Sequence, residues 1–159
     1  MSSAILSAIT ILWFITAVFL SHQAGAATAR TSGTLAGWCR NILEKLGLGG
    51  NLTAALIDDA LRRSAHIIIF ITLTALLCTS LFLLKRQHKW KIPPWAGLIF
   101  TLFFSWADEA TKIRIDGRHF SWADVGLNAA GCLIGFLVYV LVRQIIRKFR
   151  KPIKQKQST

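Results

Sequence analysis

The chain reads as all-α: a polytopic integral membrane protein of four transmembrane helices with a long, partly amphipathic-helical extracytoplasmic first loop. Three observations carry that expectation. With 53% hydrophobic residues and a mean hydropathy of +0.50, the 159-residue chain is too apolar for an ordinary soluble domain. Four apolar runs, at residues 4–20, 65–84, 93–107 and 125–142, divide it. Its cations are gathered into two of the segments that flank those runs.

Length comes first. A hydrocarbon core of about 30 Å needs about 20 helical residues. Runs 4–20, 65–84 and 125–142 meet that need, whereas 93–107, opened by Pro93-Pro94, is several residues short. Ala24-Gly25-Ala26 resembles a signal-peptide cleavage site, but no Lys or Arg precedes the first run, so that run is read as a retained helix. Residues 1–142 then form one membrane domain with outer loops 21–63 and 108–124, and 143–159 form a basic cytoplasmic tail. Cys39, Cys78 and Cys132 offer no disulfide framework and read as small packing residues.

Orientation follows from the placement of the +12 net charge. Lys85, Arg86, Lys89 and Lys91 lie between the second and third runs. Arg143, Arg147, Lys148, Arg150, Lys151, Lys154 and Lys156 follow the fourth. The first loop mixes five cations with three acids, and the 108–124 loop mixes three with four. Cation-rich segments beside helix ends stay in the cytoplasm. Both termini and residues 85–92 are therefore expected on the cytoplasmic side of the membrane. Beside a membrane helix the basic tail reads as a contact for anionic lipid, at about 1 kcal/mol per cation, and not as a nucleic-acid arm.

The first loop carries its own pattern. Leu35, Trp38, Ile42 and Leu46 recur at helical spacing, and Leu52, Leu56, Ala60 and Arg63 form a second stripe after a candidate Asn51 cap. Short amphipathic helices lying in the outer interface explain both stripes, as do two helices packed together into a small cap.

Topology brings the unusual polar residues to one membrane face. Ser21, His22 and Gln23 end the first helix there, and Arg62, Arg63 and His66 open the second. Asp108, Glu109 and Lys112 end the third, and Asp124 and Asn128 open the fourth. From Pro94 to Asp108 is only about 21 Å of helix, which sets both acids below the outer surface. Buried acids need partners, and Arg62, Arg63, Lys112, Arg114 and Arg118 are the cations within reach. Asn128 lies one turn deeper than Asp124, on the face that continues into Gly131 and Gly135, a spacing that allows close helix contact.

Each residue also has a plainer reading. Asp124 suits an N-cap, with Ser121 as its rival; Asp116-Gly117 suits a turn; His66 suits a satisfied interior histidine. Taken together they read as a polar ligand pocket or as an ion-paired clasp that holds the bundle.

Asp108-Glu109, Gly117-Arg118 and Asp124-x-x-x-Asn128-x-x-Gly131-x-x-x-Gly135 resemble the pattern of the VanZ-like family of small bacterial membrane proteins. Phe19-Leu20-Ser21-x-Gln23 and Arg63-x-Ala65-His66 extend the resemblance over the whole membrane region. Lys112 stands where the family often has Gln, residues 67–69 are isoleucines in place of aromatic and acidic residues, and the first loop is long. The family's namesake is associated with resistance to teicoplanin, a lipid-tailed glycopeptide, so the resemblance implies an envelope role.

The leading functional expectation is a non-enzymatic outer-face pocket. It would take a polar lipid headgroup, a lipid-linked cell-wall intermediate or the lipoglycopeptide itself, with Arg63, Lys112 and Arg118 facing phosphate or carboxylate. An intramembrane enzyme using the paired acids with His66 or His119 is the alternative. The chain has no His-x-x-x-His, paired-cysteine or serine-nucleophile motif, and no metal, cofactor or catalytic residue is assigned. A small exporter would want an acid near the midplane, which runs 4–20, 65–84 and 125–142 lack.

Overall fold

The computed structural model describes residues 3–22, 25–47, 50, 53–89, 91–115 and 119–149, excluding the side chains of 25–31. Five helices account for nearly all of it: α1 (Ser3–Ser21), α2 (Gly25–Lys45), α3 (Ala54–His88), α4 (Ala96–Thr111) and α5 (Trp122–Phe149). A 3₁₀ turn, Lys112–Arg114, follows α4, and no strand occurs among the described residues. Each apolar run lies within or largely within one of α1, α3, α4 and α5.

Three helices, α1, α3 and α5, are long and apolar enough to cross a membrane. With 16 residues, α4 covers about 24 Å of axis, less than a core of about 30 Å. Only 22–28% of each long apolar stretch is buried inside the protein. The rest is half-buried or exposed, with Ile11, Leu12, Phe19, Ile68, Leu137 and Leu141 among the exposed residues. Continuous apolar surface of this extent is stable against lipid and not against water.

The first loop departs from expectation in two ways. Its first stripe belongs to one 21-residue helix, α2. From Leu56 onward its second stripe is the opening of α3, which runs unbroken into the membrane span; Leu52 lies outside the described residues. Thr53 caps α3, accepting a hydrogen bond from the Leu56 N–H at 3.3 Å; the expected cap, Asn51, lies outside the described residues. No Gly or Pro interrupts 54–88, and ion pairs Asp58–Arg62 (3.1 Å) and Asp59–Arg63 (2.9 Å) support its first turns. At 35 residues α3 is about 52 Å long, so its first turns project beyond a bilayer core.

Helix α3 is the centre of the bundle and touches α1, α2, α4 and α5. It runs antiparallel to α1, where Thr10 and Ser80 share a hydrogen bond of 2.8 Å, and to α4, where Thr74 donates to Thr101 at 2.9 Å. It runs parallel to α5, in the register set by Gly131 beside Ile67 and Gly135 beside Ile71. At Gly131 a Cβ would come within 2.8 Å of the Ile67 carbonyl oxygen, and at Gly135 it would overlap that of Ile71. The glycines thus do what their spacing suggests: they let two backbones approach. Phe14, Phe70 and Phe104 close the centre, with ring centroids 4.7 and 5.8 Å from Phe104.

This up-and-down arrangement sets the ends of α1 and α4 beside the starts of α3 and α5. The acids collect at that end. The other end carries Lys85, Arg86, Lys89, Arg143, Arg147 and Lys148, with residues 143–149 continuing α5 as helix.

Candidate functional site: an acidic pocket at one end of the bundle

Asp108 and Glu109 sit in the last turn of α4, and both are buried. Ser21, the last residue of α1, donates from Oγ to Asp108 Oδ2 at 2.6 Å. Lys112 follows in the 3₁₀ turn, whose tighter winding carries its side chain back over α4. Its ammonium donates to Glu109 Oε2 and lies 3.8 Å from Asp108 Oδ2. The Ser121 backbone N–H, at the start of α5, donates to Glu109 Oε1 at 3.3 Å. Three helix ends are thus tied through two carboxylates.

The sequence left open which cation would meet the acids, and among the described residues Lys112 does so. It is only 3% exposed, so the interaction is not the weak surface pair that its spacing alone would suggest. Arg62 and Arg63 are held by Asp58 and Asp59 on their own helix, and Arg114 is exposed.

The cluster does not balance. Among the described residues two carboxylates face one ammonium, and Asp108 Oδ1 is buried without a hydrogen-bond partner. The His22 ring holds Nδ1 3.9 Å from that oxygen, beyond hydrogen-bond reach. The His22 nitrogens share hydrogen bonds with the Val18 carbonyl oxygen and the Thr111 hydroxyl instead. Asp124 is not the cap of α5. Its backbone N–H donates to the Ser121 hydroxyl at 3.3 Å, so Ser121 caps the helix. The Asp124 carboxylate is left without an ion pair among the described residues.

A cavity of about 740 Å³ opens beside this cluster. Ala17, Phe70 and Phe104 form its apolar floor, and Ser32 and Leu35 of α2 contribute to its wall. Arg63 and His66 from α3, Asp108, Glu109 and Lys112 from α4 and its turn, Ser21 from α1, and Asp124 from α5 all line it. His119 joins them. No group of three His, Cys, Asp or Glu residues with metal-binding geometry occurs among the described residues.

Two expected pocket residues, Gln23 and Arg118, lie outside the described residues. Asn128 is fully buried but does not line the cavity, because one further turn of α5 carries it into the bundle; neither its amide nitrogen nor its oxygen has a partner. The sequence set His22 at this end of the bundle without naming it a neighbour of the acids, and it gave no sign of the Ser121 N–H contact. His22 follows Ser21 directly and Ser121 was already a candidate cap, so both were adjacent to residues that had been singled out.

No curated protein and no solved structure matches the chain. The sequence model of one family does, over residues 6–143, a stretch that takes in every described pocket residue and all but the first two residues of the four apolar runs. By that match the protein is a member of the VanZ/LLP1 family.

Proposed function

We propose that the chain is a multi-pass protein of the bacterial cytoplasmic membrane whose outer-face cavity binds the polar part of a lipid-borne ligand. That part is a polar lipid headgroup, the head of a lipid-linked cell-wall intermediate, or a lipoglycopeptide of the teicoplanin kind. All four apolar helices cross the bilayer in this reading, with α4 as a short span starting at Pro93-Pro94. Both termini and the cationic end face the cytoplasm, as the cation bias supports.

The observation that carries the reading is the unpartnered Asp108 Oδ1, a buried acceptor on a residue that lines the cavity. A buried acceptor left unmade costs about 1–3 kcal/mol, and more when charged. A clasp built only for stability would balance its charges; this cluster keeps an excess of negative charge and a free acceptor. A ligand hydroxyl, amide or ammonium supplies the missing donor. Arg62 and Arg63, though paired, retain guanidinium N–H groups at the rim for phosphate or carboxylate.

Teicoplanin susceptibility tests this in a strain expressing the wild type, Asp108→Ala or Arg118→Ala at equal membrane levels. Wild type is expected to raise the inhibitory concentration and both variants to return it to the vector baseline. Unchanged protection by well-inserted variants overturns the assignment.

A further inference from the structure

The opposite end of the bundle has a second opening. A groove of about 840 Å³ runs between α1, α3 and α5. Its walls are apolar, with Leu6 from α1, Leu76 and Leu83 from α3, and Val138 and Val142 from α5. Arg86 and Gln87 stand where α3 leaves the apolar region.

Two features call for an occupant. Tyr139, 6% exposed, lines the groove, and its hydroxyl lies beside the Arg143 guanidinium without a hydrogen bond of good geometry. A buried hydroxyl is disfavoured unless something completes it. The second feature is electrostatic. Every acid of the chain lies between residues 44 and 124, in the two loops assigned to the other end, whereas segments 85–92 and 143–159 hold eleven cations and no acid. Arg143 is taken up over the Phe82 ring, 4.7 Å from its centroid. Arg86 makes no ion pair among the described residues, so the chain brings no counter-charge to this end.

We propose that the groove is a site for one anionic phospholipid, an acyl chain lying along its apolar walls and the phosphate meeting Arg86. Basic pockets at the ends of membrane helices attract anionic headgroups, and guanidinium presents phosphate with two parallel donors. The volume falls within the range of about 300–1,000 Å³ usual for ligand sites. A zwitterionic lipid fits the same walls, but its ammonium would add another cation beside Arg86; charge therefore decides in favour of the anionic headgroup. The site is independent of the acidic pocket and of any ligand there.

Native mass spectrometry tests it on the full chain, released from bilayers of equimolar phosphatidylglycerol and phosphatidylethanolamine with identical acyl chains. One retained lipid is expected, with phosphatidylglycerol favoured about fivefold or more. Arg86→Gln is expected to bring the two lipids to parity. Lys148→Gln, the same loss of charge away from the groove lining, is expected to keep the preference. Equal retention by wild type, no retained lipid, or an equal loss of preference in both variants would overturn the site, the last because it signifies diffuse attraction to the basic end.

Discussion

Lys112→Met is expected to destabilise the protein more than any other single change in the pocket. The substitution leaves Glu109 and Asp108 buried with no cation beside them among the described residues. Breaking one partner out of a buried ion pair costs about 3–5 kcal/mol, because the charge left behind is neither solvated nor paired. For a chain of this size that corresponds to a fall in melting temperature of about 10 °C or more. Thermal unfolding of the purified protein in detergent, followed by tryptophan fluorescence, measures it. Adding Glu109→Gln to Lys112→Met removes the stranded charge, so the double variant is expected to regain much of the loss. If Lys112→Met melts within about 2 °C of wild type, the cluster is not the tight, buried arrangement described.

Gly135→Val is expected to abolish assembly of the bundle. A Cβ at Gly135 meets the carbonyl oxygen, carbonyl carbon and Cα of Ile71, all of them backbone atoms that no rotamer change can move aside. The helix must separate from α3, losing the contact along its length; overpacking alone costs about 1–3 kcal/mol, and more where the backbone must move. Ser121 and Asp124 ride on α5, so the pocket would open with it. Gly131→Ala meets the Ile67 carbonyl oxygen at 2.8 Å and is expected to be the milder of the two. Gly126, on the same helix, has nothing within 4 Å, so Gly126→Ala serves as the control; it is expected to be neutral or slightly stabilising, since Ala favours helix by up to about 1 kcal/mol. Size-exclusion profiles after detergent extraction separate the cases. A sharp, wild-type-like peak for Gly135→Val would contradict the close α3–α5 contact.

The parts of this protein that could be read from its sequence are those governed by one physical constraint at a time. An apolar run has to be helical in lipid, because every backbone polar group must be satisfied internally, so the runs led directly to α1, α3, α4 and α5. The small-residue spacing at Gly131 and Gly135 marked the tight helix contact for a similar reason. Where constraints competed, the reading was less complete. The opening of α3 carries an amphipathic stripe that looks like a separate interfacial helix, but nothing between residues 54 and 88 stops a helix, and continuity won. The acids at 108 and 109 were visible as buried charges in search of partners. Which cation would answer was not, because Arg62 and Arg63 had equally near carboxylates on their own helix. Lys112 won by lying three and four residues beyond the two acids and by being buried with them; the spacing is written in the sequence, the burial is not. Asp124 likewise lost the cap of α5 to Ser121, and that loss leaves its carboxylate to the cavity.

The central claim is an acid-rich cavity that opens on the outer side of the membrane. Ala65 lines it, and in a Cys39→Ser background the remaining cysteines, Cys78 and Cys132, are buried. The most direct measurement is the rate at which Ala65→Cys reacts with membrane-impermeant thiol reagents applied to either face. Modification from the outer face is expected, faster with a cationic reagent than with an anionic one of similar size, and Asp108→Ala is expected to narrow that difference. Modification from the cytoplasmic face alone, or a faster reaction with the anionic reagent, would contradict the account.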